Sequence, residues 1–317
     1  MKKNLALFLA VLLLFAMMAG CGSTKTEEKK LSVVTTIFPV YDWVRNVLGE
    51  NAENAELTFL LDSGVDLHSY QPTADDLITI ANCDLFLYVG GESDEWVEDA
   101  LEAAGNPDRK VLNLMEVLGS AAVKPEELVE GMEAEEEEDA DEPEYDEHIW
   151  LSLNNAALLT DAIKNALSEI DPAHQDAYRS NAEAYIQALQ KLNLQYIDTV
   201  QNASCKTLLF ADRFPFRYLA DDYGISYYAA FAGCSAESEA SFETVAFLAG
   251  KVDELGLPAV VTLEGSDGKI AQTVIDTVQG EKPAILTMDS LQSVTDTNAD
   301  YCTIMEQNLA VLQQALQ

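Results

Sequence analysis

Leu31-Ser-Val-Val-Thr-Thr-Ile37 is a short run rich in β-branched residues, and it predicts a buried strand. Pro39 to Leu48 follows with Val40, Trp43, Val44 and Val47 at helical spacing, and Gly49 ends it. Ala55 to Leu61 predicts a second strand. Strand, helix and strand at this interval form a βαβ unit, which pairs strands in parallel and lays a helix on the sheet. The rhythm continues outward. Thr73 caps a helix with Asp76 in its acidic first turn, Leu85 to Val89 is a strand ended by Gly90 and Gly91, Trp96 to Ala104 is helical, and Lys110 to Leu114 is a short strand.

Asn154 to Leu167 predicts a helix, and Asp171-Pro172 opens a much longer one that runs to about Gln201. Tyr178, Ala182, Tyr185, Ala188, Leu189, Leu192, Tyr196 and Val200 line one side of it. Strands then return at Thr207–Ala211, Ser226–Phe231, Ala259–Leu263 and Ala284–Met288. Helices at Arg217–Tyr223, Ser241–Leu255, Lys269–Gln279 and Tyr301–Leu316 alternate with them. The expected fold class is α/β: two lobes, each a mainly parallel sheet flanked by helices, joined by one long rigid helix, with a cleft between the lobes. The expected partition is an N-terminal lobe over 31–170, a linking helix over 171–202 and a C-terminal lobe over 203–317.

The 317 residues are 48% hydrophobic, enough for a sizeable core. Lys and Arg number 18 against 55 Asp and Glu, for a net charge of −37. That balance excludes tracking of nucleic-acid phosphates, which needs cationic side chains, and it attracts cations. The interior holds no long apolar run, so no transmembrane bundle is expected. At the N-terminus Lys2 and Lys3 precede an apolar run from Leu5 to Met18, which reads as a secretory signal over 1–20. Met18-Ala-Gly-Cys21 resembles the lipobox of bacterial lipoproteins, which implies cleavage before Cys21 and a lipid on its sulfur. Residues 21–30 are then a polar tether to the outer membrane face. Cys83, Cys205, Cys234 and Cys302 lie scattered, with no C-x-x-C spacing. Their pairing stays open, and Cys83 reads as a small buried residue.

Pro125 to Glu147 holds fourteen carboxylates and no basic residue, so the segment 125–147 is expected to be a mobile, solvated loop. It is either a solubilising insertion or a collector of cations. In open α/β sheets ligands sit outside the carboxyl ends of strands. Four metal-capable side chains occur there or beside the acidic run: His68, His148, Asp212 and Asp289. Two imidazoles and two carboxylates suit zinc, or manganese with its preference for harder ligands. His174, at a helix start, reads as structural.

His68-Ser-Tyr-Gln-Pro-Thr-Ala-Asp-Asp76 and Asp146-Glu-His-Ile-Trp-Leu151 resemble the first two ligand motifs of the solute-binding lipoproteins of zinc and manganese ABC importers. Arg217-Tyr-Leu-Ala-Asp-Asp-Tyr-Gly224 is similar to the first C-lobe helix of that family, and Asp289-Ser-Leu291 to its Asp-Pro-Leu. The resemblance covers about Leu31 to Gln317. It implies a non-catalytic monomer that captures a divalent cation between its lobes and passes it to an ABC permease. It implies His68, His148 and Asp289 as ligands and a long helix that restrains hinge motion. The acidic insertion resembles the loop of zinc-specific members, so zinc is the expected cargo, with manganese the alternative. One position departs: where the family places His or Glu, five residues before Tyr218, this chain has Arg213, and a guanidinium cannot ligate a cation. Asp212 is the expected substitute and Glu264 the reserve. A surface adhesin is the rival reading that keeps the same lipoprotein. A zinc hydrolase is disfavoured because no H-E-x-x-H motif or nucleophile elbow occurs.

Overall fold

Val33 and Val34 lie wholly buried in β1 (Leu31–Thr35), as do Leu85, Phe86 and Leu87 in β3 (Leu85–Tyr88). Strands apolar on both faces belong in a parallel sheet covered on both sides. The computed structural model describes residues 30–133, 144–235 and 239–317. The expected signal over 1–20, Cys21, the tether up to residue 29 and the middle of the acidic segment lie outside the described residues.

In the first half β1 is followed by α1 (Phe38–Leu48), β2 (Ala55–Phe59), α2 (Ala74–Asn82), β3, α3 (Trp96–Glu102), β4 (Lys110–Asn113) and α4 (Leu114–Leu118). The strands make a parallel sheet in the order β2-β1-β3-β4. Two helices follow, α5 (Leu153–Ile170) and α6 (Gln175–Asn202). The second half runs β5 (Thr207–Phe214), α7 (Arg217–Tyr223), β6 (Ser226–Ala232), α8 (Phe242–Leu255), β7 (Ala259–Leu263), α9 (Lys269–Thr277), β8 (Ala284–Met288) and α10 (Tyr301–Ala315). Its sheet is parallel too, in the order β6-β5-β7-β8. The two sheets are thus wired alike, each with its first strand at the point where the strand order reverses. That point opens a crevice at the carboxyl ends.

Helix α6 has 28 residues and buries Tyr178, Ala182, Tyr185, Leu189, Leu192, Tyr196 and Val200. At a rise of ~1.5 Å per residue it is roughly 42 Å long. Near its start Asn181 donates to the Val47 carbonyl (3.0 Å) and the Tyr185 hydroxyl to Asp42 (3.3 Å), both on α1. Near its end the Tyr196 hydroxyl donates to the Met305 carbonyl on α10 (2.6 Å). It is fastened to both halves. Tyr301 adds a second fastening: its hydroxyl donates to the Trp150 carbonyl (2.6 Å), its N–H to Asp42 (3.1 Å), and its ring meets Trp43 edge-on. One apolar core therefore runs through both lobes.

Two expectations are corrected. Strand β5 does not stop at Ala211 but continues to Phe214, through a register shift against β6 between Phe210 and Arg213. Asp212 therefore lies within the strand, on a bulge, and not in the turn beyond it. The described flanks of the acidic segment are also held against the protein. Pro125 bridges Tyr145, Glu133 bridges Phe231 of β6, and Asp146 and Glu147 are buried. These carboxylates find backbone N–H partners, which offset the cost of burying them.

Candidate metal centre

The turn carrying His68 is built by its neighbours. Asp66 caps the short 3-10 turn Leu67–Ser69 by accepting the His68 N–H (3.1 Å). Behind it Thr73 and Asp76 form a reciprocal capping box at the start of α2, and the Tyr70 hydroxyl also donates to Asp76 (3.0 Å). The motif around His68 is thus a scaffold that aims one imidazole. His148 is 0% exposed. Asp146 accepts both its backbone N–H (2.8 Å) and its ring Nδ1 (2.9 Å). An ionised carboxylate only accepts, so Nδ1 carries the hydrogen and Nε2 keeps a lone pair. His68 Nδ1 faces Ser93 Oγ (2.8 Å) and Glu147 Oε2 (3.4 Å), which leaves its Nε2 toward His148.

The two Nε2 atoms, from residues 80 apart in sequence, face each other at 3.3 Å. A cation held tetrahedrally by two imidazoles at ~2.0–2.1 Å sets their nitrogens about 3.3 Å apart. Burial first, then the facing His148, pushes the His68 imidazole down to about 4, so it is neutral at physiological pH. Carboxylates or hydroxyls behind both rings are the usual outer support of metal-binding histidines. The Gln292 amide nitrogen lies 3.1 Å from His148 Nε2 and donates to that lone pair, while its buried oxygen has no hydrogen-bond partner among the described residues. Gln292 is brought there by the turn after β8, where Leu291 takes a left-handed backbone at φ 63. A buried side chain in that region costs energy and is held only by its surroundings.

The other expected residues are placed differently. Asp212 accepts the Arg213 N–H (3.0 Å) and the Leu263 N–H on β7 (3.3 Å). Its carboxylate is spent on the sheet, and it does not join the imidazoles. Arg213, the next residue along, reaches Asp66 instead (2.9 Å) and donates to the Ser235 carbonyl (3.4 Å). Burial raises Asp66, but Arg213 and His68 outweigh it and hold that carboxyl low. Asp289 accepts the Leu291 N–H (2.7 Å). Glu264 accepts the Ser290 N–H (2.7 Å) and hydroxyl (2.5 Å), and burial raises it to about 7. Neither Asp289 nor Glu264 falls within the cluster around the two histidines. His174 pairs with Asp171 (2.6 Å) at a helix start, as a structural residue does.

One residue of the cluster was not singled out by the sequence. The sulfur of Cys234 lies with ligand nitrogens of His68 and His148, all within 4.8 Å of one another. Cys234 sits in the turn directly after β6, a strand end of the kind that led to Asp212. The scattered spacing of the cysteines concealed it. Among the described residues the thiols of Cys83, Cys205, Cys234 and Cys302 are free, and Cys83 is buried with its sulfur against the Ile80 carbonyl (3.2 Å).

Residues 33–315 match the protein family described as zinc-uptake complex component A, periplasmic (ZnuA). The zinc-binding lipoprotein AdcA of Streptococcus pneumoniae (strain R6) is 31% identical over 316 residues, covering 98% of this chain and 61% of that protein. This chain therefore spans about three fifths of the length of that relative. The high-affinity zinc uptake system protein ZnuA of Bacillus subtilis is 29% identical over 317 residues, covering 95% of this chain and 94% of its own length. Among solved structures, the Zn(II)-bound ZnuA-like domain of Streptococcus pneumoniae AdcA superposes with a TM-score of 0.70 at 27% identity, covering 90% of this chain and 99% of the domain.

Proposed function

The chain belongs to the family of the periplasmic zinc-uptake complex component A, and from that premise we propose that it captures a divalent cation, zinc before manganese, outside the cytoplasmic membrane and delivers it to an ABC permease. The observation that carries this reading is the pair of buried imidazoles with Nε2 atoms 3.3 Å apart. His68 and His148 are the nitrogen ligands, and the neutral state of His68 favours a cation over a proton. The role is capture and release without catalysis. Lipid on Cys21 tethers the protein to the outer face of the membrane, where the acidic segment raises the local cation concentration within about one Debye length, ~8 Å at physiological salt. Asp289 is the further carboxylate that the family resemblance offers to the cation.

Calorimetric titration of the purified, metal-stripped chain tests this. Zinc should bind tightly at about one ion per chain, as a single site requires. His68→Ala and His148→Ala should each abolish that binding. Equally weak binding of zinc and manganese, or tight binding that survives both substitutions, would overturn the assignment.

A further inference from the structure

Arg213 stands where the resemblance calls for a ligand, yet its guanidinium is committed to Asp66 and to the Ser235 carbonyl. Both bonds bear on the site. Asp66 caps the turn that carries His68. Ser235 directly follows Cys234, so Arg213 helps to fix the loop that holds the thiol. Two further contacts fix the same loop. The Cys234 N–H donates to Glu126 Oε1 (3.0 Å). Gly233 packs so closely that an added Cβ would lie 2.9 Å from the Phe214 carbonyl oxygen and 3.2 Å from His148 Cε1. The loop is pressed against the imidazole, and its sulfur joins the two ligand nitrogens within 4.8 Å.

We infer that Cys234, as a thiolate, is the third protein ligand of the cation. The ligand has moved from β5, where Arg213 now stands, to the turn after the neighbouring strand β6. This inference rests on the metal-capture reading above and adds one sulfur to its two nitrogens. Zinc binds imidazole at ~2.0–2.1 Å and thiolate at ~2.3 Å, which places such donors about 3.3–3.6 Å apart and within the span of the cluster. A thiolate is a soft donor that suits zinc and disfavours manganese, which prefers oxygen. As the zinc–sulfur bond forms, the S–H bond breaks and its proton passes to solvent. Nothing is oxidised or reduced, and one proton leaves for each zinc taken up at this ligand.

Cobalt(II) added to the reduced, metal-stripped chain supplies the test. A thiolate-to-cobalt charge-transfer band in the near ultraviolet is expected, lost in Cys234→Ser and retained in Cys205→Ser and Cys302→Ser. Zinc affinity of Cys234→Ser should fall by more than the ~10–100-fold that loss of an outer-sphere partner costs. Alkylation of the unaltered chain, mapped by mass spectrometry, covers the case in which that variant does not fold. Zinc should protect Cys234 and leave Cys205 and Cys302 unchanged. The inference is overturned if no such band forms, if Cys234 alkylates equally with and without zinc, or if Cys234→Ser binds zinc as tightly as before. Loss of zinc binding in His68→Ala beside an unchanged Cys234→Ser would sink the thiolate alone. Unchanged binding in both would sink the capture reading beneath it.

Discussion

The carboxylates of the two halves do different work. On the histidine side, Asp146 holds the ring of His148, Glu147 lies 3.4 Å behind His68, and Asp66 caps the turn beneath it. On the side of the second sheet, Asp212 accepts backbone N–H groups on β5 and β7, Glu264 clasps Ser290, and Asp289 closes the turn at Leu291. The sheets have the same strand order, so topology does not explain the contrast. What differs is which groups the oxygens hold: Asp66 and Asp146 accept the N–H groups of the histidines themselves, whereas Asp212 accepts those of β5 and β7. A carboxylate that satisfies a buried N–H is costly to withdraw for another purpose. An acidic residue at a strand end is therefore a poor guide to a ligand until its hydrogen bonds are known.

Three substitutions press on this contrast. Asp146→Ala should have the largest effect, weakening zinc about 10–100-fold by freeing the tautomer and orientation of His148. Competition against a chromophoric chelator would measure it, and unchanged affinity would break the distinction between the two sets. Asp212→Ala should do the opposite. Zinc affinity should stay as it was, while stability in urea falls by about 1–3 kcal/mol for the lost bonds to a charged acceptor. A fall in affinity with no change in stability would return Asp212 to the site.

Glu264→Gln should have the smallest effect at neutral pH and a visible one across pH. Burial raises Glu264 to about 7, so the folded protein keeps a proton that the unfolded chain has lost. The stability this provides is complete below the ordinary carboxylate range and is lost as pH rises through about 7. Urea midpoints compared at about pH 6 and about pH 8 should therefore fall less in Glu264→Gln than in the unaltered chain. Burial also raises Asp94 to about 7, so the decline should shrink and not vanish. An unchanged slope would mean that Glu264 is ionised in the fold.

Much of the architecture was legible because it rests on local pattern. The β-branched runs at Leu31–Ile37 and Ala259–Leu263 and the one-sided stripe from Tyr178 to Val200 each declare their element, and parallel strands follow from their spacing. His68 stood out through the Pro72-Thr73 helix start behind it, His148 through the acidic run beside it, and both through their motif resemblance. The remainder depended on partners distant in sequence. The extension of β5 through its bulge is set by pairing with β6, and it moves Asp212 from a turn into a sheet. Cys234 carries no neighbouring motif, and its proximity to His148 comes from packing alone. The buried ends of the acidic segment depend on N–H donors that composition does not reveal.

Helix α6 is clamped at one end by Tyr185 and at the other by Tyr196. A splint fixed in this way makes the molecule a poor jaw. On the capture proposed above, letting a cation go would then fall to local movement of the turn at Leu291 and the loop at Gly233, more than to any swing of one half.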